Sequence, residues 1–75
     1  MAEALRPLDA LNKARDKRVI VELKNNKQYV GVLKAFDIHI NIVLDDAEEK
    51  EDGEVKRKLG NVFIRGDTIT IISTE

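Results

Sequence analysis

The sequence has no cysteine, no tryptophan, one histidine, one proline and only three aromatic residues. Without cysteine there are no disulfides and no thiolate metal sites. A single histidine leaves no cluster of zinc ligands, so neither a metal nor a cofactor is expected. No apolar run approaches the ~18 residues that a membrane span needs, and no charged-then-apolar signal segment opens the sequence. A cytoplasmic protein with no membrane partner is therefore expected. The one serine, Ser73, has no histidine near it in sequence, which leaves nucleophilic catalysis without a nucleophile. Gly31, Gly53, Gly60 and Gly66 are scattered, so no phosphate-cradling glycine loop is present. Asp45 with Asp46, and Glu48 with Glu49, are neighbours on an extended segment and point to opposite faces, which does not build a magnesium site. No enzyme and no catalytic residue is expected.

Seventy-five residues make one domain, spanning 1–75. A chain this short buries only ~60 % of its unfolded surface, so its core is marginal alone. With disulfides and metals removed, self-association is the remaining supplement. The net charge is −1, but "DDAEEKEDGE" (45–54) holds seven of the fourteen carboxylates and one lysine. That stretch carries −6 and leaves +5 on the rest of the chain, so a nucleic-acid partner stays possible. A segment whose only task is solubility explains the same distribution.

"RPLDALNKARD" (6–16) reads as a short helix, with Pro7 in its first turn and a narrow stripe of Leu5, Leu8 and Leu11. So narrow a stripe predicts a helix lying across another element. From Arg18 the apolar period changes to two. "RVIVELK" (18–24) puts Val19, Val21 and Leu23 on one face, and "NN" (25–26) supplies a hairpin turn. "KQYVGVLKAFD" (27–37) is the second strand, with Val30, Val32 and Phe36 expected on one face and Gly31 marking a bend. "INIVLDDAEE" (40–49), "EVKRKLGNVFIR" (54–65) and "TITIIS" (68–73) complete the strands, joined at "DG" and "GD". The fold class expected is mainly β: an N-terminal helix, then five short antiparallel strands in a strongly bent sheet. "TITIIS" carries no lysine or proline to deter pairing, so an edge strand there is suited to a neighbouring subunit. Head-to-tail pairing of this kind closes into a ring.

Two segments carry candidate binding residues. In "DIHIN" (37–41), an extended chain puts Asp37, His39 and Asn41 on one side and Ile38 and Ile40 on the other. In "IRGD" (64–67), Arg65, Gly66 and Asp67 occupy a turn, where glycine lets a ligand approach the backbone. An unpaired nucleobase needs flat partners on its faces and a donor–acceptor pair at its edge. His39 and Arg65 supply planes, with a cation–π contribution from the guanidinium. The Asn41 carboxamide matches the N3–H and O4 of uracil and fits cytosine less well, with Asp37 or Asp67 to orient it. Plainer readings stand beside this one. The histidine packs or hydrogen-bonds a turn, Asp37 and Asn41 cap loops, and Arg65 with Asp67 is a surface ion pair.

A helix opening "RPLDAL", then "VIVELKNNKQYVGVLKAFDIHINIVLDDAEE", a charged stretch, and "GNVFIRGDTITIIS" resembles the Sm-like (Lsm) family, archaeal type. The first Sm motif corresponds to 18–49 and the second to 60–73, with 50–58 as the variable charged loop. The resemblance implies the Sm-like fold, in which the bent sheet forms a small open barrel, and a homo-oligomeric, heptameric ring joined by the fourth strand of one subunit and the fifth of the next. It implies one uridine pocket per subunit around the pore, binding uridine-rich single-stranded RNA in RNA processing or ribonucleoprotein assembly. In that pocket His39 and Arg65 stack, Asn41 reads the base, Asp37 and Asp67 hold the loops, and Gly66 permits close approach. The alternative is a ring-forming protein–protein module with little base specificity. Ile38 and Ile40 stand where family members often carry an aromatic residue or methionine.

Overall fold

A computed structural model describes residues 6–74. Helix α1 (Pro7–Lys13) begins with Pro7 in its first turn, where the absent N–H leaves no bond unmade. It ends at Ala14, and Asp16 turns the chain with φ +64°, a conformation aspartate tolerates. Of the expected stripe, Leu11 packs on the core and Leu8 is half-buried, and Ala14, the residue that ends the helix, is buried, while the other helical residues are exposed; Leu5 lies outside the described residues.

Strands β1 (Arg18–Leu23), β2 (Gln28–Phe36), β3 (Ile42–Glu51), β4 (Glu54–Ile64) and β5 (Ile69–Thr74) form one antiparallel sheet in the order β4-β3-β2-β1-β5. β4 and β5 are thus the two ends of the sheet. Val19, Val21, Leu33, Ile42, Leu44, Ala47 and Ile64 are buried in one cluster. Burial of each of the larger side chains stabilises by ~1.5–3 kcal/mol.

Gly31 is where the sheet bends. The β2–β3 register slips between Val30 and Val32, and β3–β4 slips between Leu44 and Ala47. A Cβ on Gly31 would lie 2.9 Å from the Asp45 carbonyl oxygen and 3.1 Å from the Ala47 Cα, so only glycine lets β3 cross this closely. The pairing also corrects the expected face of β2. Val19 faces Gly31 and Val21 faces Tyr29, and directly opposed residues share a face, so Tyr29, Gly31 and Leu33 point inward. Leu33 is fully buried, whereas Val32 beside Arg18 is only half-buried. Alternation misassigns this strand because it is apolar on both sides: Val30 is buried too, outside the core cluster.

The charged stretch 50–58 is not a loop. It continues β3 and β4 to a turn at Asp52–Gly53. Just before it on β3, Glu49 is buried, 4 % exposed, where Arg57 Nε donates to Oε1 at 2.7 Å and Lys27 Nζ sits 3.3 Å from Oε2. The Arg57 bond foremost, then Lys27, holds this carboxyl below the ordinary glutamate range against the opposing effect of desolvation. No helix among the described residues is long and apolar enough to cross a membrane.

Candidate nucleic-acid interface

The segment 37–41 is a tight hairpin loop rather than the extended run expected from its spacing. Ile40 N–H donates to the Asp37 carbonyl at 3.0 Å, and Asp37 N–H donates to the Asn41 carbonyl at 3.1 Å. Ile40 has φ +61°, which breaks the two-residue alternation. The two isoleucines consequently part company: Ile40 packs on the core, while Ile38 is 73 % exposed at the loop tip.

The Asp37 carboxylate organises this loop. Its Oδ1 accepts from the His39 amide at 2.9 Å and the Asn41 amide at 3.1 Å, and its Oδ2 accepts from Asn41 Nδ2 at 3.1 Å. The Asn41 carboxamide bond first, then the His39 amide, holds the Asp37 carboxyl below the ordinary aspartate value. Asp37 therefore caps a turn, as the plain reading has it, and by the same bonds orients Asn41.

The second segment meets the first through Gly66. Its N–H donates to Asn41 Oδ1 at 2.8 Å. A Cβ at residue 66 would collide with the His39 carbonyl oxygen and fall 2.7 Å from the Ile40 carbonyl carbon. Close approach, not a left-handed backbone, is what requires glycine here. Arg65 and Asp67 pair at 3.0 Å, so Asp67 fixes the guanidinium; of the two candidate orienters, Asp37 is the one hydrogen-bonded to Asn41. Thr68, expected at the start of the fifth strand, lies instead in the single helical turn Gly66–Thr68 and closes it by donating both Oγ1–H (2.7 Å) and N–H (3.1 Å) to the Arg65 carbonyl. A hydroxyl residue three positions after the arginine was the signal available for it.

His39, Asn41, Arg65, Gly66 and Asp67 line one shallow depression. Asp37 sits behind it as a support. The Asn41 amide has one possible orientation, because Asp37 only accepts and the Gly66 amide only donates. Each end of the carboxamide keeps one valence free: an N–H and an oxygen lone pair. Such a side chain presents a fixed donor–acceptor pair beside a flat, partly cationic surround.

A helix followed by a sharply bent five-stranded antiparallel sheet, with both loops of the site at one end, defines an Sm-fold protein. The LSM domain model matches residues 9–74, and the chain belongs to that family. An snRNP Sm-like protein of Methanococcoides burtonii is 53 % identical over 68 residues, covering 91 % of this chain and 94 % of that one. An Sm protein of Pyrococcus abyssii, solved in complex with a uridine heptamer, superposes with TM-score 0.92 at 45 % identity, covering 95 % of this chain and all of that one. A heptameric archaeal Sm protein superposes with TM-score 0.83 at 38 % identity, over 88 % of this chain and 96 % of that one.

Proposed function

We propose that this chain is a non-catalytic subunit of an RNA-binding ring in the cytoplasm, gripping uridine-rich single strands through one pocket per subunit. The single observation that carries this reading is the Asn41 carboxamide, pinned at both ends and left with one donor and one acceptor. Uracil presents N3–H to the free lone pair and a carbonyl oxygen to the free N–H. Cytosine lacks N3–H and leaves the lone pair unmatched. His39 and Arg65 cover the faces of the base, and Asp67 keeps the guanidinium in place. The uridine heptamer bound by the Pyrococcus abyssii relative supports the ligand class, and the heptameric relative supports the assembly.

β4 and β5 end the sheet, and each carries an exposed apolar side chain, Phe63 at 85 % and Ile71 at 52 %. Pairing β4 of one subunit with β5 of the next satisfies both ladders and covers both side chains. Repetition then places several weak pockets on one strand of RNA, which raises affinity without any new contact.

The test is a titration of labelled oligo-U, oligo-C and oligo-A at two salt concentrations. Preference for oligo-U that persists at high salt is expected. Equal binding of all three, falling by about 0.7 log units per phosphate contact for each tenfold rise in salt, would leave only electrostatics. Asn41→Ala is expected to abolish the preference while native mass spectrometry still shows the intact oligomer. A monomeric variant would make Asn41 a structural residue.

A further inference from the structure

Two hairpin loops of this chain have the same backbone design. In the β1–β2 loop, Asn26 N–H donates to the Leu23 carbonyl at 3.0 Å and Leu23 N–H donates to the Lys27 carbonyl at 2.9 Å. The β2–β3 loop repeats that pattern with Ile40, Asp37 and Asn41 in the corresponding places. Each is a three-residue loop whose last member is left-handed, at φ +70° for Asn26 and +61° for Ile40. Asn26 is an ordinary occupant of such a position. Ile40 is not: a β-branched residue at positive φ is a conformational outlier. Every other described non-glycine residue with positive φ is aspartate or asparagine.

Local preference is thus violated at one place, between the two residues assigned to base contact. The side chain shows what opposes the strain. Ile40 packs against the core and lines the cleft between α1 and β5 with Leu11, Ala14, Ile69 and Ile72. Its carbonyl carbon and oxygen stand against Gly66, at 2.7 and 2.8 Å from where a Cβ would be. One residue therefore ties the loop to the barrel by its side chain and to the second loop by its backbone. Strain at a functional loop persists only where packing over-determines it.

We infer that Ile40 is the positioning residue of the base pocket: its half-buried side chain, packed on the core, pins a strained turn so that His39 and Asn41 are held ready. An asparagine or glycine would suit the turn better and leave the loop unanchored. The free protein would then spend less time in the binding geometry, and affinity falls in proportion to the competent fraction. This rests on the proposed uridine pocket for its RNA consequences, but not for its effect on the loop itself.

The experiment compares wild type with Ile40→Asn, Ile40→Gly and Ile40→Val. Hydrogen exchange of the Gly66 amide, bonded to Asn41 Oδ1, reads the loop without RNA. Exchange about tenfold faster in the Asn and Gly variants, unchanged in Val, with β1 core amides unchanged in all three, is expected from local opening. Oligo-U affinity should drop about tenfold with the lost competent fraction, the U-to-C ratio should shrink, and Val should restore both. Unchanged Gly66 exchange in Ile40→Asn overturns the inference, as does a variant that dissociates or loosens its core. If wild type itself fails to prefer oligo-U, the pocket reading falls and Gly66 exchange still decides the role of Ile40.

Discussion

Gly66→Ala puts a methyl group into the join between the two loops. Its Cβ would sit 2.7 Å from the Ile40 carbonyl carbon and 2.8 Å from the Ile40 oxygen, with the His39 oxygen nearer still. Comfortable carbon–carbon contact begins at about 3.5 Å, so the loops must part by about 1 Å. The obstructing atoms are all backbone, and no side-chain rotation relieves them. The same parting stretches the 2.8 Å bond from the Gly66 amide to Asn41 Oδ1 beyond hydrogen-bonding range. Overpacking costs about 1–3 kcal/mol and the lost bond about 1 kcal/mol more. Asn41 is left tethered only through Asp37 and free to swing. With each ~1.4 kcal/mol worth a factor of ten, oligo-U affinity should fall at least about tenfold and its margin over oligo-C should narrow further. Fluorescence anisotropy with labelled oligo-U and oligo-C, on protein verified as intact oligomer, measures both. Wild-type affinity with a wild-type ratio would refute the idea that contact between these loops holds the base reader.

Gly31→Ala should act on the fold and spare the pocket. The added Cβ meets the Asp45 oxygen at 2.9 Å, so denaturant unfolding should show a loss of about 1–3 kcal/mol with an unchanged U-to-C ratio. For Asp37 the folded carboxyl titrates below the unfolded value, so its ordering of the loop is complete above about pH 4 and disappears as the pH falls through the lower, folded value. In a His39→Phe background, which keeps a stacking plane and removes the imidazole, base preference should be flat from about pH 5 to 8; a decline that begins at about pH 6 there contradicts the assignment to Asp37. Phe63→Asp, at the end of β4 and far out in solvent in the lone chain, should leave the subunit folded and prevent ring closure. A native mass spectrum still dominated by the wild-type oligomer would show that this edge is not the joint.

The order of elements was legible because each signal is local. The proline at a helix start, the change of apolar period at Arg18 and the paired turn residues all report on neighbours in sequence. The grouping of His39, Asn41, Arg65 and Gly66 around one depression was legible as well, since they sit in two short runs that resemblance to the Sm-like family joined; their contact with a base rests on the proposed function.

Tertiary structure decided what depends on contact between distant segments. Which face of β2 is inward was set by the partners Val19 and Val21, because both faces are apolar. Whether 50–58 is a loop was set by cross-strand pairing and by the Lys27–Glu49–Arg57 cluster, which composition reads only as charge. Which aspartate orients Asn41 was a matter of ångströms: Asp37 at 3.1 Å does so, and Asp67 turns instead to Arg65. The left-handed Ile40 was hidden most completely, since its sequence context argues for the opposite. Alternation placed Ile38 and Ile40 together, and residue preference excluded isoleucine from that turn. Packing on the core, at the cleft between the helix and β5, overrides both preferences, and a force that acts only once the chain has folded leaves no mark in the local sequence.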